Sequence, residues 1–421
     1  MAEPPTRTKE SPRTMPISRR TMLGSAAALS TLPLMPARAQ PKAKIRLGVL
    51  TDLSGPYRDD TGANSVACTH QAVEEFNPLS HGFDVEVIQA DHQNKPDVAT
   101  SIARQWCDQG IDALIDVPTS PVALAVAQVV REKDKIMLNG SATTTDLTDT
   151  QCSPNTIVWS FDTYMMAQSQ GGAMMRSGGK SWFFITADYV FGHSLEDQTE
   201  AVVKKAGGTV KGAARYPFPD TTDFSAYLEQ ARTSGAQVLG LATAGLDTVN
   251  SIRQAHESGL SQTMKIAPLL IFITDVHALG LDITAGLNCT TSFYWDHNDR
   301  TRAFTTRVRP RLTKGTYPNM AHASAYSATL HYLKTVAAMS PAKAMQSGRA
   351  TVARMKSMPT DDDAFGKGHI RADGRGEFPA FLWKVKQPKQ SKSPWDLFEL
   401  VTESQPADVL HPLNPKCNFG A

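Results

Sequence analysis

The chain has 421 residues, more than one compact core usually serves and enough for two. Hydrophobic residues make up 41% and charged residues 20%, a balance that builds ordinary cores and excludes a disordered or fibrous chain. Its 43 basic and 41 acidic residues leave a formal charge of +2, so no basic face points to nucleic acid.

The first segment, "MAEPPTRTKESPRTMP", is polar and proline-rich, and "SRRTMLGSAAALSTLPLMPARAQ" follows it. Arg19 and Arg20 form a twin-arginine pair, 22–35 is a modest apolar run, and Ala37-Arg38-Ala39 carries the small residues of a cleavage site. The pattern reads as an export signal cut after Ala39, resembling the twin-arginine type, with the Sec route open. The apolar run is too short to stay as a membrane span. A soluble periplasmic protein without stable membrane insertion is expected.

From Lys44 onward, strand-like and helix-like segments alternate. "KIRLGVLTD", "FDVEVIQAD", "DALIDVPT" and "KIMLNGS" read as strands, separated by helical patterns that begin at Ala63, Lys95 and Pro121. These strands are continuous apolar runs, the mark of a parallel sheet covered on both faces. A second series follows: "SWFFITAD", "TVKGAARYP", "QVLGLATAG" and "KIAPLLIFI" as strands, with helices between them. Two βαβ series predict an α/β chain of two Rossmann-like, doubly wound lobes. Long helical patterns come next, "RAFTTRVRPRL" and "NMAHASAYSATLHYLKTVAAM", then late strands around "ADGRGE". Asp361 to Asp363 read as a solvated acidic loop; their spacing does not suit a metal.

Ligands of open α/β sheets sit at the carboxyl ends of the strands. The informative loops are therefore 51–57, 118–122 and 139–145 in the first lobe, and 187–194, 243–247 and 269–274 in the second. In the first of them, "DLSGPY", Ser54 lacks the Gly-x-Ser-x-Gly setting of a nucleophile, and the turn lacks the Gly-Lys-Ser/Thr of a phosphate loop. Ser54 and Tyr57 are left as candidate ligand contacts or as parts of a turn stiffened by Pro56. No base and orienting acid accompany them, so no catalytic residue, metal or cofactor is assigned. Five cysteines, Cys68, Cys107, Cys152, Cys289 and Cys417, leave at least one unpaired, and none forms a Cys-x-x-Cys pair.

At these loops the sequence resembles the periplasmic solute-binding proteins of ABC importers, more narrowly the branched-chain amino-acid-binding family. "VLTDLSGPY", "NGSATTTDLTD", "ITADYVFGHS" and "DFSAYLEQARTSGAQVLGLATAG" carry the resemblance, in order, over nearly the whole mature chain. It implies two lobes joined by a hinge and closing on a ligand: lobe 1 at 42–161 with 295–345 returning to it, lobe 2 at 162–294 with 365–402 returning, and a tail at 403–421. The signal occupies 1–39. The implied partners are a small-molecule carboxylate and the permease subunits of an ABC transporter, and the implied state is a monomer.

By resemblance, Ser141, Ala142 and Thr143 lie where the family binds the ligand carboxylate, with Thr119 and Ser120 beside them. Phe191 falls at a ligand-facing aromatic position flanked by Tyr189 and His193; the histidine is a candidate donor or a surface residue. Arg58 has the same two readings. Relatives with a "CSP" stretch at this point often carry a late cysteine, which implies a Cys152–Cys417 disulfide. Cys68 and Cys107, on successive crossover helices, are not expected to pair.

The departures bear on the ligand. Amino-acid binders of the family hold the α-ammonium with an acid in the second lobe, where this chain has "APLLIFITD", with Leu270 and Phe272 in that region. A buried ammonium without a carboxylate costs several kcal/mol. After the preceding strand, Ala244 and Gly245 stand where the family often has a bulky aromatic. Tyr57, Tyr189, Phe191, Phe272, Tyr294 and Trp295 are the expected aromatic lining, although Tyr294 and Trp295 read equally as hinge packing. The expected ligand is an aromatic acid of benzoate or phenylpropenoid type, a pattern that resembles the aromatic-compound uptake subgroup. A branched-chain or hydrophobic amino acid or amide, or a sensing role on the same fold, is the alternative. A secreted enzyme is the further competing class, without a readable catalytic constellation.

Overall fold

Met1 and residues 43–419 are described in the structure, a computed structural model. The export signal read at 1–39 lies outside the described residues, Met1 apart. Strands β1 (Ala43–Thr51), β2 (Phe83–Asp91), β3 (Ala113–Asp116), β4 (Ile136–Asn139) and β5 (Thr156–Val158) form a parallel sheet in the order β2-β1-β3-β4-β5. Ile45, Leu47 and Val49 of β1 enter a core with Tyr332 and Leu333 of the helix Met320–Met339. Leu50 and Leu114 enter a different core with Trp106 and Val126. Burial on both faces is why these strands lack polar alternation.

The second sheet, β7-β6-β8-β9, is also parallel: β6 (Ser181–Ala187), β7 (Thr209–Tyr216), β8 (Val238–Ala242) and β9 (Lys265–Pro268). Two doubly wound α/β lobes result. Antiparallel strands complete the chain: β10 (Asn288–Thr291), β11 (Thr360–Asp362), β12 (Gly366–Ile370), β13 (Gly376–Glu377), β14 (Ala380–Val385) and β15 (Phe398–Ser404). They form two small sheets, β10-β14-β15 and β11-β12-β13. Phe381, Trp383 and Phe398 of the former pack into the core of the second lobe with Leu239 and Ile266.

The structure departs from the sequence reading in three places. The strand expected over "KIAPLLIFI" stops at Pro268. Leu269 N–H still donates to Leu241 O at 3.1 Å, after which the chain turns into a helix, Ile273–Leu279. Asp275 starts that helix by accepting from Phe272 N–H at 2.9 Å. Strands β5 and β10 and the helices Pro341–Gln346 and Gly348–Ser357 were not legible, being too short to show a period. Asp361 to Asp363 are not a solvated loop. Asp362 is buried and accepts from the Ala364 and Phe365 N–H groups at 2.8 and 2.9 Å and from the Ser327 hydroxyl. Asp361 and Asp363 pair with Arg300, and Asp363 also with Arg307.

Where the chain crosses between the lobes, Arg375 and Asp162 are both fully enclosed and bond at 2.7 Å, Nε to Oδ2. Arg375 also donates from Nη1 to Gly376 O at 2.7 Å and Trp159 O at 3.2 Å. Asp162 accepts from Met165 N–H at 2.8 Å, capping the first helix of the second lobe. Gly376 lies so close to β5's exit that a Cβ there would stand 2.0 Å from Trp159 O. Around this point runs a ladder of buried hydroxyls: Ser292 to Ser160 at 2.9 Å, and Ser160 with Ser324 at 2.7 Å.

The tail is tied to the first lobe. Cys152 and Cys417 are joined by a disulfide, and Asn414 Nδ2 donates to Asp149 Oδ1 at 2.7 Å. Cys68, Cys107 and Cys289 are buried free thiols.

Removing one partner of an enclosed ion pair leaves an uncompensated buried charge, costing about 3–5 kcal/mol. Arg375→Met is therefore expected to lower stability by that amount in urea denaturation. Arg375→Met with Asp162→Asn should recover part of it, because the amide keeps the helix cap without a charge. A loss of under about 1 kcal/mol in the single variant would mean that the pair does not hold the crossing.

Candidate functional site

The carboxyl ends of the two parallel sheets face each other, and their loops line a narrow cleft. Its first-lobe wall is polar: Thr119, Ser120, Ser141 and Thr143 line it, with Ala142 between them. Its second-lobe wall is apolar: Tyr189, Phe191, Ala244, Leu270 and Phe272. Tyr57 and Asp60 complete it from the first loop, with Thr61 and Pro118.

The polar wall is built from strand ends and one helix start. After β3 the backbone is left-handed at Asp116, Val117 and Thr119, with φ of 79°, 55° and 67°. Branched residues rarely accept that conformation, which costs on the order of 1–3 kcal/mol each. The strained turn brings the start of the helix Ser120–Glu132 to the cavity, where its positive dipole end favours an anion. The Ser141 hydroxyl is bound to Asp116, which also accepts from the Thr51 hydroxyl at 2.7 Å. Burial raises the Asp116 carboxyl to about 6. Among the described residues, the N–H groups of Ser141 and Thr143 have no protein acceptor. This wall can therefore offer backbone N–H groups and a helix end to a carboxylate, while Asp116 holds Ser141 in place.

The opposite side is aromatic. The Tyr57 and Tyr189 hydroxyls are bonded at 2.6 Å across the cleft. Phe218 packs against both, its ring 5.6 Å from Tyr57 at 18° and 4.6 Å from Tyr189 at 31°. Phe272 meets Phe161 edge-on at 6.2 Å. Burial pushes both phenols well above the usual tyrosine range, so they remain neutral donors and acceptors.

Asp52 shapes the loop that carries Tyr57. It accepts from the N–H groups of Ser54, Gly55 and Tyr57 at 3.2, 2.6 and 2.9 Å and from Asn94 Nδ2 at 2.8 Å. This grip turns Tyr57 inward and Ser54 outward. Pro56 O then accepts from Leu246 N–H of the second lobe at 3.3 Å. Gly245, at φ 58°, permits the approach: a Cβ there would stand 2.7 Å from Pro56 O and 2.8 Å from a Tyr57 ring carbon.

Several expected contacts lie elsewhere. Ser54 is exposed and its hydroxyl donates to Asp91 at 2.6 Å. His193 pairs with Asp188 at 2.8 Å beside the cavity rather than lining it. Gly245 sits behind the wall, acting through its closeness to Pro56 and Tyr57. Arg58 pairs with its neighbour Asp59 at the surface. Tyr294 and Trp295 are not part of the aromatic lining: they bond the Trp395 carbonyl and pack on Trp383, Phe398 and Tyr317.

Phe218, Asp60 and Thr61 escaped the sequence reading. Phe218 follows β7, so the rule applied to the other strand ends would have found it. Asp60 lines the cavity, and nothing in "YRDDTG" separates it from its surface neighbour Asp59. The second-lobe loop has no carboxyl in the lining, as its sequence predicts, and the first lobe supplies one, Asp60. Burial raises Asp60 to about 7, and Thr274 of the second lobe donates a hydrogen bond to it. Asp247, behind Tyr189, is also raised to about 7 by burial and accepts from the Tyr216 hydroxyl at 2.8 Å.

A periplasmic binding protein from Burkholderia mallei is 41% identical, with a TM-score of 0.84 covering 90% of this chain and 98% of that one. A branched chain amino acid ABC transporter periplasmic ligand-binding protein from Burkholderia xenovorans LB400 is 34% identical, with a TM-score of 0.77 covering 90% and 99%. A solute-binding protein of an ABC transporter from R. palustris, in complex with 4-hydroxybenzoate, shares the fold at 21% identity, with a TM-score of 0.76 covering 86% and 97%. The periplasmic binding protein family model matches residues 44–392, and the chain belongs to that family, one of ligand-binding proteins and not of enzymes.

Proposed function

We propose that the chain captures a small aromatic acid, benzoate- or phenylpropenoid-like, between its lobes and delivers it to the permease subunits of an ABC importer from the periplasm. The observation that carries this reading is the two-sided cavity: free N–H groups and a helix start on one wall, aromatic rings on the other. Charge-assisted hydrogen bonds suit a carboxylate, and each ring pair adds roughly 0.5–1.5 kcal/mol beyond burial. A micromolar complex needs only about −8 kcal/mol. The 4-hydroxybenzoate carried by the R. palustris protein and the ABC-transporter role of the B. xenovorans relative support the same reading. Ser141, Ala142, Thr143, Thr119 and Ser120 hold the carboxylate in it, and Tyr57, Tyr189, Phe191, Ala244, Leu270 and Phe272 enclose the ring.

Asp60 favours a second reading, a hydrophobic amino acid whose ammonium it would meet. Against it, Asp60 already accepts from Thr274, and burial favours its neutral form.

Titration calorimetry on purified protein with benzoate, 4-hydroxybenzoate, cinnamate and leucine separates the two. Micromolar binding of at least one aromatic acid is expected, with leucine weaker by about a hundredfold or more; leucine binding alone would sink the proposal. Gly245→Ala should weaken the bound acid at least tenfold, because its methyl group meets Pro56 and Tyr57 only when the lobes come together. Its melting temperature should fall, since alanine is strained at φ 58°, and unchanged affinity would refute the closing contact.

A further inference from the structure

The contacts from one lobe's strand-end loop to the other converge on the first loop, 55–60. Pro56 accepts from Leu246, Tyr57 bonds Tyr189 and stacks on Phe218, and Asp60 accepts from Thr274. Asp275, next to Thr274 on the second lobe, lines the same groove as Asp60. Both carboxyls are buried, at 2% and 5% exposure. Neither is within ion-pair distance of a lysine, arginine or histidine among the described residues. Two buried carboxyls that share a groove and have no ion-pair partner are not both ionised: burial and their mutual repulsion keep a proton on one of them.

We propose that Asp60 and Asp275 form a proton-bearing latch between the lobes, so that closing on a ligand takes up a proton. The latch rests on the contact between the lobes and not on the identity of the ligand, and so goes beyond the transport reading.

The surroundings strengthen it. Asp52 and Asp59 add negative charge from the first loop, which disfavours ionisation of the pair. Arg253, His277 and Lys314 line the outer groove that also reaches Asp60 and Asp275, and Lys314 is 4.0 Å from Asp59. His322, under the loop, is held neutral by burial. On Asp60's other side, Asn319 Nδ2 donates to its backbone carbonyl at 2.9 Å and fixes it against the helix Met320–Met339. Asp275 is itself held, since it accepts from Phe272 N–H.

With the lobes parted, both carboxyls meet water and titrate near the ordinary value of about 4. With the lobes together, burial raises both, Asp60 to about 7. The closed form therefore binds more protons over the interval between. Closure is strongest at the acid end and weakens as pH rises through that interval, by up to tenfold per pH unit for each proton retained.

Two measurements test the latch. Calorimetry with 4-hydroxybenzoate, repeated in buffers of different ionisation enthalpy, should show proton uptake on binding near pH 6. Affinity should fall at least tenfold between pH 5 and pH 8. Asp275→Asn, whose amide can donate to Asp60 and still accept from Phe272 without titrating, should flatten the curve and abolish most of the uptake. If the probe does not bind, which would count against the aromatic-acid reading alone, small-angle scattering of the ligand-free chain reads the latch directly. Its radius of gyration should rise with pH in the wild type and stay level in Asp275→Asn and Asp60→Asn. A level wild-type response in the arm that reads, or the same pH dependence in both variants as in wild type, overturns the proposal.

Discussion

A guanidinium and a carboxylate enclosed where the lobes join set the conditions for the rest of the molecule. Arg375 and Asp162 have no water to solvate them, so each needs the other, and each is also bound to backbone. Asp162 begins the second lobe by capping its first helix, while Arg375 comes from the turn between β12 and β13, more than two hundred residues later. The pair thus pins two distant crossings of the chain at one point. The serine ladder beside it adds buried hydrogen bonds between Ser160, Ser292 and Ser324. A fixed crossing lets two separately folded sheets present their carboxyl ends to the same space.

What those ends present is asymmetric. The first lobe offers N–H groups, hydroxyls and a helix start, and holds three residues in left-handed backbone to do so. The second lobe offers rings and small side chains. In the function proposed above, a ligand with an anionic end and a flat apolar body would meet both walls at once only when they come together, and that differential contact would drive closure. Burial of several acids near the cleft follows from the same geometry. Asp60, Asp116 and Asp247 are each raised by desolvation, and each is tied to hydroxyl groups rather than to a cation.

The α/β class, the two lobes and most strand ends were legible because parallel strands buried on both faces must be apolar runs, and such runs are visible in one dimension. The rule that ligands sit at carboxyl ends of strands then pointed to Thr119, Ser120, Ser141, Thr143, Tyr189 and Phe272, all of which face the one cavity. Sequence left Ser54 and Tyr57 equivalent, two polar side chains in one turn. Only the fold, through the grip of Asp52 on three successive N–H groups, sends one outward and the other across the cleft. Likewise the sequence left Tyr294 and Trp295 equally open as cleft aromatics or hinge packing, and the fold places them on Trp383 and Tyr317.

The sequence by itself determined the class of the fold, its repeat of strand and helix, and the chemistry available at each strand end. These are local properties, carried by periodicity and by neighbours a few residues apart. Tertiary structure alone decided which acid is surface and which is cavity, as Asp59 and Asp60 illustrate, and which residues meet across the lobes. Asp60 and Asp275 are 215 positions apart in the chain, and their common burial arises from the meeting of two lobes, for which no pattern within either segment is required.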